Sequence, residues 1–167
     1  KYQLESWKNC GGNLIARFDK LQTSEVIDIL TCAATHGYLP LLRENPEAVR
    51  AQLKTAVREH RRHFKNSPLG IWLPECAYYE ELDELMAKVG LRYAILDGHG
   101  LLHATPRPRY GLYAPICSKN GIAFFGRDSE STLPVWSAKE GYPGNSEYRE
   151  FHRDLGWELN QDELKKI

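Results

Sequence analysis

The feature that most constrains the fold is a long amphipathic helix flanked by two short apolar runs. The helix is predicted to start after Asn45, a candidate N-cap, with Pro46 in the first helical position and apolar side chains recurring at helical spacing as far as residue 64. The run before it, residues 25–34, is rich in β-branched residues, and residues 70–73 form the run after it. This pattern predicts a strand, a helix and a second strand, the unit from which parallel sheets are built.

The alternation continues along the chain. Leu82, Leu85, Met86 and Val89 predict a second amphipathic helix that ends at Gly90. Further strands are predicted at 92–96, 110–116 and 121–125, followed by a loop from residue 129, a turn at 142–145, a short helix at 147–155 and the start of another at 161–167. Strands separated by helices favour an α/β fold with a mainly parallel sheet or barrel and outer helices.

Composition excludes several classes of protein. Among the 167 residues, 22 Lys and Arg balance 22 Asp and Glu, which argues against nucleic acid or an anionic membrane as a partner. We interpret the basic strip of the first long helix as a solvent-facing surface. There is no apolar run of roughly 18 residues and no signal-peptide layout, so we expect a soluble, cytoplasmic protein. The four cysteines are too sparse for a disulfide scaffold.

Polar side chains follow the predicted strands at the point where each ends. His36 follows the first strand, Glu75 the second, Asp97 and His99 the third, and Arg127 the last. Because the carboxyl ends of parallel strands meet at one edge of a sheet, we expect these side chains to share a cleft.

Glu75 is the leading catalytic candidate. Trp72 offers an aromatic face on the strand before it, and Pro74 stiffens the backbone next to it, so the carboxylate would be held in place. A held carboxylate can act as a nucleophile or a general base. The alternative is a surface glutamate near a helix start. For His36, the alternatives are a hydrogen-bond donor to a sugar and a residue that only caps a turn.

Two other groups of residues could bind a ligand. Asp97, His99 and His103 include good ligands for a divalent metal, but their spacing fits no strict zinc signature, so we prefer a polar substrate-binding loop and predict no metal. Arg127 and Trp136 suit a carbohydrate, because an indole packs on a sugar ring and a guanidinium holds hydroxyl groups. A salt-bridged loop with Trp136 in the core is the alternative.

Three motifs occur in a fixed order along the chain. They are TCAATHGYLPLL at 31–42, GIWLPECAY at 70–78, and a third set formed by GRDSES at 126–131, VWS at 135–137, GYPG at 141–144 and YREFHRD at 148–154. Together they resemble glycoside hydrolase family 57, and more narrowly its 1,4-α-glucan branching enzyme type.

The resemblance implies that residues 1–167 are the central portion of an incomplete (β/α)7 barrel, truncated at both ends. It implies a retaining mechanism on an α-1,4-glucan such as amylose, glycogen or starch, without a metal or cofactor. Glu75 would be the nucleophile and form a covalent glycosyl-enzyme, and His36 and Trp136 would line the donor sugar site. Asp97, His99 and Arg127 lie in family-like segments. Together with Trp72, whose aromatic face precedes Glu75, they complete the predicted substrate-binding residues.

The chain also departs from the family pattern. The family's N-terminal histidine motif has no counterpart before His36, and the motif with the acid/base aspartate should follow the end of this chain. We therefore expect little or no turnover by this chain alone. Some branching-type members carry a mobile, tyrosine-bearing loop between the nucleophile and the region of Trp136. In this chain only the short connection 105–110 is available for that role. Its shortness disfavours efficient branching relative to hydrolysis.

The alternatives to branching come from three classes of protein. Within the family, an α-amylase or a 4-α-glucanotransferase would use the same nucleophile. Outside it, a metal-dependent carbohydrate deacetylase-like barrel would use Asp97, His99 and His103. The third alternative is a glucan-binding module without catalysis.

Overall fold

A computed structural model describes residues 2–145 and 159–166. The chain falls into two compact units, divided between Gly126 and Arg127. The first contains all of β1 to β4 and nearly all of β5. The second contains the helix that follows β5 and the residues after it.

The described strands are β1 Thr31–Cys32, β2 Gly70–Trp72, β3 Tyr93–Asp97, β4 Ile116–Cys117 and β5 Ala123–Arg127. The described α-helices are α1 Tyr2–Asn9, α2 Leu14–Thr23, α3 Pro46–His63, α4 Leu82–Lys88, α5 Gly98–Leu102, α6 Ser129–Trp136 and α7 Gln161–Leu164. Short 3₁₀ helices occupy Leu39–Leu42, Pro74–Cys76 and Tyr142–Gly144.

The five strands form one sheet in the order β1-β2-β3-β5-β4. β1, β2 and β3 pair in parallel, with Ile71 opposite Thr31 on one side and opposite Ala94 on the other. β4 and β5 form an antiparallel pair. The expectation of an α/β fold with a mainly parallel sheet and flanking helices is confirmed.

The two faces of the sheet differ in burial. Ile71 of β2 and Ala94 of β3 are fully buried and belong to a core shared with α3 and α4. Because successive side chains of a strand point to opposite faces, Trp72 and Ile95 lie on the other face, where both are half-buried. The second face is therefore the less buried one.

Helix α3 forms as its sequence predicts. The Asn45 side chain accepts a hydrogen bond from the Ala48 N–H at 3.2 Å, and Pro46 occupies the first turn. The apolar stripe is buried, with Val49 and Leu53 wholly inaccessible to solvent. The helix thus covers β1 and β2 through one face and exposes its basic residues on the other.

Two strand predictions were wrong in extent. In residues 25–34 only Thr31–Cys32 pair with a neighbour, because the chain first turns at Glu25 with φ 58° and reaches the sheet edge late. In residues 110–116 only the last belongs to a strand, because Gly111 has φ 58° and the Tyr113 N–H bonds back to Tyr110. Residues 27–30 therefore have no regular secondary structure, and a turn around Gly111 takes the place of strand pairing in the second segment.

The loop predicted from residue 129 was also wrong, since α6 begins there. The Asp128 carboxylate accepts hydrogen bonds from the Glu130 and Ser131 N–H groups and so caps the helix. Pro134 inside the helix concealed this N-terminal signal in the sequence. The helix predicted at 147–155 lies outside the described residues.

No helix within residues 2–145 or 159–166 combines the length and apolarity needed to cross a bilayer.

A buried carboxylate joins α4 to the turn between β4 and β5. Asp83 is only 2% exposed, and it accepts hydrogen bonds from the Tyr78 hydroxyl at 3.3 Å and the Asn120 amide at 2.8 Å. Burial acts to raise the pKa of Asp83, but hydrogen bonds from Ser118, Asn120 and Tyr78 outweigh it and hold the pKa below its usual value. The ionised form is therefore part of the folded structure.

We expect Asp83→Asn to lower the free energy of unfolding by about 1–3 kcal/mol at neutral pH, because one amide cannot accept at both positions. A folded-state pKa below the unfolded one contributes stability above the ordinary aspartate range, and this contribution is lost as pH falls through the folded pKa. The gap between variant and wild type should therefore narrow in acid. Urea unfolding at neutral and acid pH measures it.

The control is Glu84→Gln, which changes the adjacent, exposed carboxylate and should leave the unfolding midpoint nearly unchanged. Equal stability of Asp83→Asn and wild type at neutral pH would contradict the structural role of Asp83.

Candidate functional site

Glu75 lies in a tight turn that directly follows β2. Glu75 and Cys76 both have left-handed backbones, with φ 55° and 53°. The turn is closed by hydrogen bonds from the Cys76 N–H to Leu73 at 2.8 Å and from the Ala77 N–H to Pro74 at 3.1 Å. Pro74 and Cys76 are buried, whereas the Glu75 side chain is 73% exposed. The turn therefore projects the carboxylate away from the core.

His36 lies in a second turn, which follows β1. It too has a left-handed backbone, with φ 54°, and its N–H bonds to Ala33 at 2.9 Å. Gln52 of α3 holds the preceding residue, since its side chain bonds both the N–H and the hydroxyl of Thr35, at 2.9 and 2.8 Å. The turn that carries His36 is thus tied to the helix behind it.

The two turns bring their side chains into contact. His36 Nε2 lies 3.3 Å from Glu75 Oε1, and His36 Nδ1 lies 3.2 Å from the Cys32 Sγ. Burial raises the pKa of the Cys32 thiol. The side chains that follow the first two strands, His36 and Glu75, are therefore in direct contact.

The third strand end joins the same cleft. Glu75, Asp97 and His99 border an open cavity of about 410 Å³. Its lining is completed by Tyr38, Cys76, Ala77, Tyr78, Leu96 and Gly100. Three of the seven residues predicted for the site thus border one cavity. His36 contacts one of these three, Glu75.

Asp97 caps α5 at the edge of this cavity. Its Oδ1 accepts from the His99 N–H at 3.4 Å and lies 3.0 Å from His99 Nδ1. An N-cap aspartate acts as an acceptor, so the pair presents a fixed carboxylate and an exposed imidazole ring. Such a pair can bind hydroxyl groups of a ligand as both acceptor and donor.

Trp72 does not border this cavity. It lies on the open face of the sheet, opposite Cys32 in the β1–β2 register and opposite Ile95 in the β2–β3 register. Trp72 is the last residue of β2, and its half-buried indole lies on the less buried face of the sheet, outside the lining of this cavity.

Arg127 and Trp136 contact each other in the second compact unit. The Arg127 guanidinium lies 5.2 Å from the Trp136 ring centroid, a cation–π contact across α6. Trp136 is 68% exposed, so the alternative that puts it in the core is wrong. Asp128, the residue after Arg127, caps the helix that carries Trp136.

Sequence reasoning missed Tyr38 and Cys32. Tyr38 borders the cavity two residues after His36, and Cys32 bonds His36 from four residues before it. The spacing of Cys32 and His36 across the end of a strand was a usable signal. However, it depends on the left-handed turn at His36, and sequence does not display that turn.

A metal site has no counterpart in the described geometry. Within residues 2–145 and 159–166, no three His, Cys, Asp or Glu side chains are grouped so that they could hold a metal ion. His103, at the end of α5, is exposed. Asp97 and His99 are thus together without a third ligand among these residues.

Comparison with known proteins finds a family model and a relative that both belong to one glycosyl hydrolase family. A sequence model of glycosyl hydrolase family 57 matches residues 1–162. The 1,4-alpha-glucan branching enzyme TK1436 of Thermococcus kodakarensis is 35% identical over 173 aligned positions, which cover 88% of this chain and 26% of that enzyme. This chain thus spans about a quarter of the length of that relative.

Solved structures agree in fold. The alpha-amylase AmyC from Thermotoga maritima has a TM-score of 0.85 and 42% identity, covering 98% of this chain and 32% of that one. The GH57-type branching enzyme from Pyrococcus horikoshii has a TM-score of 0.78 and 38% identity, covering 90% and 30%. The sheet and its helices are therefore part of an incomplete (β/α)7 barrel. With the family model matching almost the whole chain, this protein belongs to glycoside hydrolase family 57.

Proposed function

We propose that this chain carries the nucleophile of a retaining enzyme that transfers segments of α-1,4-glucan, and that the reaction is 1,4-α-glucan branching. The observation that carries the proposal is the carboxylate of Glu75, held on a left-handed turn, in contact with His36 and bordering an open cavity. Because the chain spans about a quarter of its curated relative, the activity is proposed for the whole protein.

The first half of the reaction forms a covalent intermediate. A Glu75 oxygen attacks the anomeric carbon of the glucan, and the bond from that carbon to the departing glycosidic oxygen breaks. A second carboxyl group, which we place outside this chain, donates its proton to the departing oxygen. The product is a glycosyl ester of Glu75 with inverted configuration at the anomeric carbon.

The second half transfers the glycosyl group. The 6-hydroxyl of another glucan chain attacks the anomeric carbon, the ester bond to Glu75 breaks, and the hydroxyl proton passes to the second carboxylate. Two inversions give net retention and a new 1,6 linkage. Water in place of the hydroxyl gives hydrolysis by the same route.

Asp97 is better suited to binding than to acid catalysis. A general acid must be protonated when substrate binds, which requires an environment that disfavours charge. Asp97 instead accepts hydrogen bonds as the cap of α5 and lies beside the imidazole of His99. We therefore assign Asp97 and His99 to the hydroxyl groups of the bound glucan.

Further substrate contacts are proposed within each compact unit. They come from Trp136 and Arg127 in the second unit and from Trp72 and His36 in the first. The exposed indole of Trp136 offers an apolar face to a sugar ring, and Arg127 offers hydrogen-bond donors beside it. Trp72 supplies a second indole on the open face of the sheet. His36 donates to the carboxylate of Glu75 and keeps it oriented.

Hydrolysis by an α-amylase of the same family is the second candidate. It is favoured by the 42% identity with the Thermotoga maritima alpha-amylase, which exceeds the 35% identity with the curated branching enzyme. A 4-α-glucanotransferase would also use Glu75 in the same way. The deacetylase-like alternative lacks a group of three metal ligands among residues 2–145 and 159–166.

We expect Glu75→Gln to reduce glucan transfer by the whole protein by roughly four orders of magnitude or more, since the amide cannot form the ester. Transfer is measured as new 1,6 linkages formed on amylose, and hydrolysis as new reducing ends. The wild type should give mainly 1,6 linkages. If only linear products form, branching is contradicted and amylase or glucanotransferase activity explains the result.

The matched control is Glu80→Gln, which neutralises an exposed glutamate five residues along the same loop and should keep full activity. If Glu75→Gln retains activity, Glu75 is not the nucleophile and a glucan-binding role becomes the better explanation.

The backbone of Glu75 should store strain, because a left-handed conformation costs a non-glycine residue about 1–2 kcal/mol. Glu75→Gly removes that cost and adds an entropic one of about 0.5–1 kcal/mol, so the free energy of unfolding should rise by up to about 1.5 kcal/mol. Glu75→Gln keeps the strain and should match the wild type. Urea unfolding of all three proteins measures it.

Glu80→Gly controls for the glycine itself, because residue 80 has an ordinary backbone and should lose stability. An equal loss in Glu75→Gly and Glu80→Gly would mean that the turn at Glu75 is unstrained.

We expect Trp136→Ala to weaken binding of a maltooligosaccharide by about tenfold, since the lost stacking contact is worth about 1.4 kcal/mol. Isothermal titration with the inactive Glu75→Gln background separates binding from turnover. Leu133→Ala, on the same helix and also exposed, is the control and should bind normally. Unchanged binding by Trp136→Ala would remove Trp136 from the substrate site.

A further inference from the structure

Three side chains lie in series across the ends of β1 and β2. The Cys32 Sγ is 3.2 Å from His36 Nδ1, and His36 Nε2 is 3.3 Å from Glu75 Oε1. Each ring nitrogen of His36 therefore has its own partner. Because a neutral imidazole carries one proton, one of these contacts must be made by a lone pair and the other by an N–H.

The partners decide where the proton lies. The carboxylate of Glu75 can only accept, so it needs the proton on Nε2. Burial raises the pKa of Cys32, so near neutral pH its thiol keeps its proton and can donate to the lone pair of Nδ1. The two contacts are thus compatible with each other in one tautomer, the one protonated on Nε2.

We propose that Cys32 is a positioning residue: its thiol donates to His36 Nδ1 and so selects the tautomer that donates from Nε2 to Glu75. The role in glucan transfer rests on the function proposed above, whereas the selection of the tautomer does not. No bond is made or broken at Cys32. Its effect on the reaction passes entirely through the orientation of His36.

Cys32 is well placed to hold the ring. It lies in β1, paired in parallel with Trp72 of β2, so its backbone is fixed by the sheet. The Thr35 backbone just before His36 is fixed by Gln52 of α3. The residues that flank the turn therefore hold the imidazole of His36 in place. As a result, its Nε2 faces Glu75 from a defined direction.

A neutral His36 ring that donates a hydrogen bond is a better neighbour for a nucleophilic Glu75 carboxylate than a charged ring. An imidazolium beside Glu75 would pair with the carboxylate as an ion and lower its tendency to attack carbon. A thiol that donates to Nδ1 uses the lone pair of the neutral ring. The other titratable groups facing Cys32 come from α3, where Glu59, His60 and His63 border the same cavity of about 330 Å³.

The test separates the influence of Cys32 from that of Glu75. In Glu75→Gln the neighbouring amide can either donate or accept, so it no longer favours one tautomer and the effect of Cys32 can be measured separately. Long-range ¹H–¹⁵N correlation spectra of the His36 ring, recorded above the titration range of histidine, report which nitrogen carries the proton. We expect Glu75→Gln to show the Nε2–H form.

Adding Cys32→Ala to Glu75→Gln should reduce the ratio of Nε2–H to Nδ1–H roughly three- to tenfold, the factor that one net hydrogen bond supplies. Adding Cys32→Ser should preserve the ratio, because a hydroxyl also donates. If Cys32→Ala fails to fold, Cys32→Val fills the space without a donor. An unchanged ratio in the variant without a donor overturns the proposal.

Activity gives the second measurement. With Glu75 intact, Cys32→Ala should lower kcat three- to tenfold at unchanged KM, and Cys32→Ser should restore it. Cys117→Ala, which removes the exposed thiol of β4, is the control and should be unaffected. If Cys32→Ser is as slow as Cys32→Ala, the thiol acts through packing and the proposal fails.

The two proposals fail in different ways. If Glu75→Gln retains transfer activity, the proposed function falls, while the ratio of tautomers still tests Cys32. If Glu75→Gln is inactive and the ratio does not depend on Cys32, the function stands and the positioning role falls.

Discussion

Parallel pairing of β1, β2 and β3 is the constraint on which the site depends. With Thr31 opposite Ile71 and Ile71 opposite Ala94, the three strands end at the same edge of the sheet. The residues that follow them therefore meet although they are far apart in sequence. His36 contacts Glu75 across 39 positions of the chain because the strands end together and the turns that follow them project both side chains. The helices behind the sheet bury its other face and keep this edge in register.

Elements fixed by periodicity were predictable from the sequence. Helix α3 has an N-cap at Asn45, Pro46 in its first turn and a buried stripe that the sequence displays directly. The convergence of strand ends followed from the order of strands and helices alone. In contrast, the strand predicted at 110–116 failed because β propensity is outweighed by turns such as that at Gly111. Helix α6 was missed because Pro134 argues against a helix that the Asp128 cap nevertheless starts.

The precise geometry of the site was less accessible to sequence. Glu75 and His36 both adopt backbones that ordinary residues avoid, and no local pattern identifies such positions. The resemblance to family 57 pointed to both residues because it carries information about a whole fold. The spacing of Cys32 and His36 hinted at their contact, but the contact exists only once the left-handed turn at His36 is formed.

The described residues orient the Glu75 carboxylate, but they do not shield it from solvent. The Glu75 and His36 side chains are 73% and 56% exposed, so solvent weakens the interaction between them. Catalysis gains most from charges that are both oriented and shielded from water. A left-handed turn, a fixed imidazole and a capped Asp97 provide the orientation without shielding. In the proposed reaction, a glucan bound in the open cavity beside Glu75 would exclude water from the carboxylate and so add shielding to this orientation.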